Sequence, residues 1–480
     1  MTQLADRQAS HQLAGVSQSR QAWLTWLIVI SGLLLLMVAV FSGNVYNLLF
    51  LLAAVFFTLY SLRCPLPALF VSMLVGTQFF QLVPFENMPG VRGPGFTLNL
   101  SDLFVLLLLL VAAYRLPRRQ GHLMFGSFVL IWVAYIGARF ALNLLIGEAS
   151  LKLSLNLARY QVGWLGYTIL VSAIETPRDL RRYVNFVLLM MVIATGFQVA
   201  EAVQGQRLNL FGLGTNEYWT GTKYLVVEGR FVPYLWTRAL SQTLMALFFS
   251  MGCVLEGVRT RRYLPLALLA VLGILIAAVR AWYFGLAVGV LALLVFQKTH
   301  SRAAFRAGIA LLALVVIVAG LSPLMVKSYG GSPWTVWLAR AADLLTFSKE
   351  TNFVGRVDQA KLAWTAIRDS LLLGYGWGSM FVRLQAETGV NTLLLHGFVG
   401  TALILGLYII VGWRVFRLWS QLPRSQERGF MAGLLALMVL YLAVLFSQDT
   451  LNSGGFAVTA AALVDRISSF QKADLIEAEE

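Results

Sequence analysis

Charge is scarce in this chain. Charged residues are 12% of its 480 and hydrophobic residues 59%, with a mean hydropathy of +0.75, a balance that excludes a water-soluble globular domain. Cysteine is rarer still: Cys64 and Cys253, each at or within an apolar stretch, support neither a disulfide framework nor a cysteine metal site. Histidine occurs only at positions 11, 122, 300 and 396, and Asp-x-Asp does not occur, so a metal centre has few ligands to draw on. Repeats of about 20 to 50 residues and low-complexity linkers are missing too, which excludes solenoids and tethered multidomain assemblies.

What is present is a series of apolar runs, each near the roughly 20 residues that cross a bilayer. They begin near Ala22, Val45, Pro65, Leu98, Leu123, Leu155, Val184, Leu235, Tyr263, Ala281, Ala304, Asn391 and Gly429, with a weaker run over 451–464. The expectation is an all-α polytopic membrane protein of 13–14 transmembrane helices. The first run is too long for a signal peptide and lacks a small-residue cleavage site, so it reads as a retained span. One long interruption sets the organisation: helices 1–11 over 1–325, an amphipathic helical cap loop over 326–390, and helices 12–14 with a tail over 391–480. Within the cap, GRVDQAKLAWTAIRDSLLLGYGWGSM at 355–380 spaces Val357, Ala360, Trp364, Ile367 and Leu371 as a helix and closes in a glycine-rich turn.

The net charge is +15, and sixteen of the 37 basic residues form five clusters: Arg115, Arg118, Arg119; Arg178, Arg181, Arg182; Arg259, Arg261, Arg262; Lys298, Arg302, Arg306; and Arg414, Arg417, Arg424, Arg428. With the N-terminus inside and fourteen spans, every cluster is cytoplasmic. They then meet anionic lipid rather than nucleic acid. Both termini are cytoplasmic on this reading, and the cap is external.

Five arginines depart from the pattern. Arg139, Arg159, Arg230, Arg238 and Arg280 fall at the external ends of spans. A charge within a span costs about 2.5–3.5 kcal/mol on insertion scales, so it pairs, snorkels or faces an aqueous cavity. Taken singly, each has an ordinary reading as an ion pair with an external acid such as Glu148 or Glu217. Taken together, their guanidinium groups suit a bidentate grip on phosphate, and in a membrane a phosphate with a lipid tail is a polyprenyl phosphate or pyrophosphate.

Four stretches carry a likeness: FTLNLSDLFVL at 96–106, GRFVPYLWTRAL at 229–240, VRAWYFGL at 279–286, and the 355–380 segment with Gly355-Arg356, Trp364 and the Gly374-Tyr375-Gly376 turn. Their order, and the single large external cap, resemble the O-antigen ligase and polymerase superfamily, GT-C-like membrane glycosyltransferases that use undecaprenyl-pyrophosphate-linked glycans outside the bacterial inner membrane. The likeness covers 99–406. It implies metal-independent, inverting transfer with no cofactor, in which an acceptor hydroxyl displaces the lipid pyrophosphate. It also implies pyrophosphate binding by Arg280 and Arg230, supported by Arg356, Arg238 and Arg159; Arg356 reads equally well as a solvated charge at a helix start.

The chain departs from the family at the end of the cap, where Val390-Asn391 stands in place of a His-Asn pair. An acceptor hydroxyl needs a general base. His396, about one and a half turns into the next span, is the catalytic candidate, with Glu387 its rival and Asp449 behind it. A lone histidine in an apolar span is also a packing residue. Trp364, Tyr375 and Trp377, with Trp334 and Trp337, offer stacking faces to an acceptor glycan or form an interfacial belt.

The expected function is a bacterial polysaccharide polymerase that transfers a lipid-linked glycan onto the next lipid-linked repeat at the periplasmic face of the inner membrane. Its partners are the undecaprenyl-pyrophosphate donor, the glycan acceptor, membrane lipids and a chain-length regulator, with no nucleic acid. The alternatives are an O-antigen ligase acting on lipid A core or protein, and a lipid-linked oligosaccharide flippase or transporter.

Overall fold

The computed structural model describes residues 45–76, 90–93, 96–116, 124–146, 162–204, 222–227, 230–235, 240–276, 280–296, 351–376, 390–445 and 455–479. Helix α1 (Val45–Arg63) meets α2 (Pro65–Gly76) at Cys64. Pro65 opens α2, where its missing N–H leaves no intrahelical bond unmade. A ribbon of β1 (Gly90–Gly93) and β2 (Phe96–Asn99) runs straight into α3 (Leu100–Arg115). Then come α4 (Gly126–Ile146), α5 (Val162–Ala173) and α6 (Pro177–Gln204). A second antiparallel ribbon pairs β3 (Thr222–Val227) with β4 (Arg230–Leu235). The remaining helices are α7 (Leu240–Leu255), α8 (Thr260–Ile276), α9 (Arg280–Phe296), α10 (Thr351–Asp369), α11 (Val390–Gln421), α12 (Gln426–Ala443) and α13 (Gly455–Glu479).

The fold is therefore helical, with two short ribbons as its only strands among the described residues. Four stretches are long and apolar enough to cross a membrane: Gly126–Leu145, Pro177–Ala200, Val390–Gln421 and Gln426–Ala443; α2, α3, α5, α7 and α9 supply shorter apolar segments. Exposed Leu130, Leu145, Val295 and Ile409 mark outward faces that only lipid covers cheaply. The chain is a helical membrane protein. The runs expected from Ala22 and Ala304 lie outside the described residues.

At the centre, α7 is mostly apolar and every residue from Thr243 to Val254 is buried, as in a helix surrounded by other helices. Its closest neighbour is α12. A Cβ on Gly252 would lie 2.0 Å from the Gly429 carbonyl oxygen, and one on Gly433 would lie 2.4 Å from that of Phe248. The two backbones touch where small residues allow it, which is how membrane helices gain contact when lipid supplies no hydrophobic drive.

Polar contacts gather helix ends at one side of the bundle. Arg115 at the end of α3 pairs with Glu175 just past α5 at 3.0 Å. Arg181 near the start of α6 pairs with Glu427 at the start of α12 at 3.1 Å, and Arg428 pairs with Glu256 just past α7 at 3.1 Å. Arg262 of α8 donates to Asn185 of α6 at 2.9 Å. Four of the five basic clusters thus contribute residues to a single end. Buried in α13, Asp465 and Arg466 complete it: Phe125 N, ahead of α4, and the Tyr167 hydroxyl donate to Asp465 Oδ2, while Arg466 Nε donates to Val171 O near the end of α5 at 2.8 Å. An acid at a helix N-terminus and a base at a C-terminus both oppose the local helix dipole.

Candidate functional site

The opposite end is built differently. There Trp282 of α9 meets Tyr441 of α12 edge-on at 5.7 Å, and Tyr441 stacks on Phe456 of α13 at 4.8 Å. Arg280 is the first residue of α9, so its backbone stands at this end. So do α7's start, just past Arg238, and both ribbons.

Helix α11 is broken at this end. Gly397 has φ 61° and ψ −168°, a conformation open essentially to glycine alone. The break frees two carbonyls before it and two N–H groups after it, groups that cost several kcal/mol each if left unmet in hydrocarbon. The cap turn meets all four. Tyr375 N and Gly376 N donate to Leu394 O and Leu395 O at 2.9 and 2.8 Å, and Phe398 N and Val399 N donate to Leu371 O and Leu372 O at 3.0 and 3.1 Å. Backbones must nearly touch for this. A Cβ on Gly374 would lie 2.4 Å from the Gly397 nitrogen, and Gly374 and Gly376 both adopt positive φ, 65° and 70°.

One face of α4 reads the same turn. Trp132, Tyr135, Arg139 and Asn143 recur at spacings that align on a helix. The Tyr135 hydroxyl donates to His396 O at 2.7 Å, Arg139 Nη2 donates to Gly374 O, and Asn143 Nδ2 donates to Tyr375 O at 2.7 Å. Ser370 Oγ donates to Gly374 O as well, at 2.7 Å. Arg139, one of the five arginines suited to phosphate, thus makes its hydrogen bond to the protein's own backbone.

His396 sits immediately before the break and is 2% exposed. Its ring meets Trp132 edge-on, centroids 5.0 Å apart, and Trp132 lies 5.1 Å from Trp164. The absence of a side chain at Gly400 makes room: a Cβ there would fall 2.5 Å from His396 Cβ and 2.9 Å from the Tyr135 ring. The imidazole is enclosed in an aromatic stack.

The cap helix α10 forms where the apolar spacing predicts it, but its buried face is displaced. Ala363, Ala366 and Ile367 pack with Leu394 of α11 in a small core, whereas Trp364 is 46% exposed and Leu371 also faces out. Alanine lets the two helices approach where tryptophan would hold them apart. Tyr375 is half-buried against this core, and its hydroxyl donates to Ala366 O at 2.9 Å.

Of the other expected site residues, Arg356 lies in the first turns of α10, and Arg230 opens β4, paired with Val227 across the ribbon turn. Sequence reading takes 229–240 as a turn into a span. The ribbon instead sets Arg230 about one six-residue strand, roughly 17 Å, from Leu235. Arg159, Arg238, Glu387 and Trp377, with Trp334, Trp337 and Asp449, lie outside the described residues. The residues that sequence reading passes over are Trp132, Tyr135, Asn143, Trp164, Asp465 and Arg466. The α4 series was legible as a polar and aromatic stripe along an apolar helix; the Asp465-Arg466 pair stood in the open as adjacent opposite charges at the end of a span.

Among the described residues no three His, Cys, Asp or Glu side chains stand close enough to share a metal ion. Compared with known protein families and with proteins of characterised function, the chain matches none of them.

Proposed function

We propose that the chain is a membrane glycosyltransferase of 13–14 spans with a GT-C-like cap, a polysaccharide polymerase that moves a growing glycan from undecaprenyl pyrophosphate onto the next lipid-linked repeat. The observation that carries this reading is the asymmetry of the two ends. The basic clusters that hold a membrane protein's cytoplasmic side tie one end together, while the Arg280 backbone and the docked cap stand at the other. That second end is then periplasmic, both termini are cytoplasmic, and the membrane is the bacterial inner membrane.

In this mechanism Arg280 and Arg230, with Arg356, Arg238 and Arg159, stabilise the departing pyrophosphate as fixed charges. The acceptor hydroxyl loses its proton to a base as it attacks the anomeric carbon. The enclosure of His396 against Trp132 suits a packing role, so we assign the base to Glu387 and keep His396 as its rival. Trp364, exposed on the cap, and Trp377 offer faces to the acceptor glycan.

A ladder made by purified protein in detergent from undecaprenyl-pyrophosphate-linked repeats, with no membrane gradient, is the expected result. Transfer of finished chains to lipid A core or protein, without lengthening, would make it a ligase instead. The broken α11 favours one further reading, since transporters hold substrate and ions at interrupted helices. Here, however, the four freed backbone groups are occupied by the cap turn. Gradient-dependent movement without lengthening would establish the transporter.

A further inference from the structure

Two helix C-termini meet at the break in α11. One is the end of α10 and its turn, whose Gly374 carbonyl accepts from Arg139 and Ser370; the other is the first segment of α11, whose Leu394, Leu395 and His396 carbonyls accept from Tyr375 N, Gly376 N and the Tyr135 hydroxyl. The carbonyl oxygens at each end carry partial negative charge. They converge beside Trp132, which is wholly buried and packs against His396. Four backbone hydrogen bonds hold the turn in the break, two of them from the N–H groups that open the second segment of α11.

Arg139 is the cation at this junction. Its Nη2 donates to Gly374 O, its Nε is buried without an acceptor, and no acidic side chain among the described residues forms an ion pair with it. A partly buried guanidinium with no carboxylate paired to it among the described residues is stabilised by the acceptors near it, and here those are carbonyls of the turn and the break. We infer that Arg139, through its charge-assisted hydrogen bond to Gly374 O, clamps the cap turn into the broken helix. It is a positioning residue whose ligand is backbone, and the clamp holds whatever the chain transfers.

Hydrogen–deuterium exchange on the purified full-length protein reads the clamp directly at the amides of Tyr375, Gly376, Phe398 and Val399. Arg139→Gln is expected to speed exchange at these four about tenfold, the loss of one charge-assisted hydrogen bond, while amides over 434–440 in α12 keep their rates. In Arg139→Ala, low-millimolar guanidinium should restore protection at the same four. Unchanged exchange in Arg139→Gln, a rise shared equally by α12, or no rescue by guanidinium would each overturn the proposal. Should Arg139→Gln not accumulate, Arg139→Lys carries the test, because it keeps the charge and loses the fork: a rise of about threefold confined to the four amides supports the clamp, and no rise or a general one overturns it. Because exchange is read without turnover, a failed clamp and a failed transfer activity are told apart.

Discussion

The two ends of the bundle are held by different physics. At the basic end, side chains of opposite charge reach between helix termini, as Arg181 does to Glu427 and Arg428 to Glu256; long, flexible and partly exposed, they tolerate small errors in helix position. At the other end the cap turn and the broken α11 share backbone hydrogen bonds through Gly374, Gly376 and Gly397, and nothing there can move by an ångström without loss. The first arrangement fixes which way the helices run. The second fixes where a particular carbonyl or side chain sits, which is what a site requires.

The sharpest way to break this comparison is Gly397→Ala. Its φ of 61° and a Cβ 2.4 Å from the Leu372 carbonyl oxygen predict a loss of about 4 kcal/mol or more, seen as failed accumulation or a collapsed melting temperature in detergent. A near-normal melting temperature would mean that the junction is adaptable after all. Next comes Arg280→Ala, which should leave expression intact and cut transfer by about a hundredfold to a thousandfold, the effect of losing one transition-state donor. Near-normal turnover would remove Arg280 from the site.

Glu387→Gln should cost about a hundredfold in transfer at unchanged stability, whereas His396→Phe, which keeps a ring against Trp132, should stay within about threefold of wild type. The reverse order would return the base role to His396. At the basic end, Asp465→Asn weakens charge-assisted bonds from Phe125 N and Tyr167, an expected loss of about 2 kcal/mol readable as a lower melting temperature with transfer chemistry intact. Smallest of all, Arg181→Ala removes a pair in which the arginine is 53% exposed, and about 0.5 kcal/mol or less should be lost. A larger loss than that of Asp465→Asn would erase the contrast between flexible and buried ties.

Much of the basic end was legible in the sequence because charge cannot be hidden in lipid: Arg115, Arg181, Arg262 and Arg428 stood out against apolar runs, and the structure gathers them. The cap helix was legible too, from the spacing of Val357 to Leu371 and the glycines after it. Its buried face was not, because periodicity counts apolar residues alike, and Ala363 rather than Trp364 permits close approach to α11. The ribbon over 222–235 escaped notice because Pro233 argues against a strand interior; in a two-stranded ribbon both strands are edges, and Pro233 pairs with Tyr224 there.

Gly397 was the least legible residue of all, since an isolated glycine in an apolar span is ordinary and nothing local distinguishes the one that breaks the helix. Solvent preference acts on each residue separately, so composition and the order of apolar and basic stretches were enough to determine a helical membrane protein, with residues of four of its basic clusters gathered at one end among the described residues. The break in α11, the turn that fills it and the carbonyl that Arg139 meets depend on groups from about 20 to more than 200 positions apart satisfying one another. Only the tertiary structure decided those, because a hydrogen bond between distant segments has no energy until packing brings its two halves together.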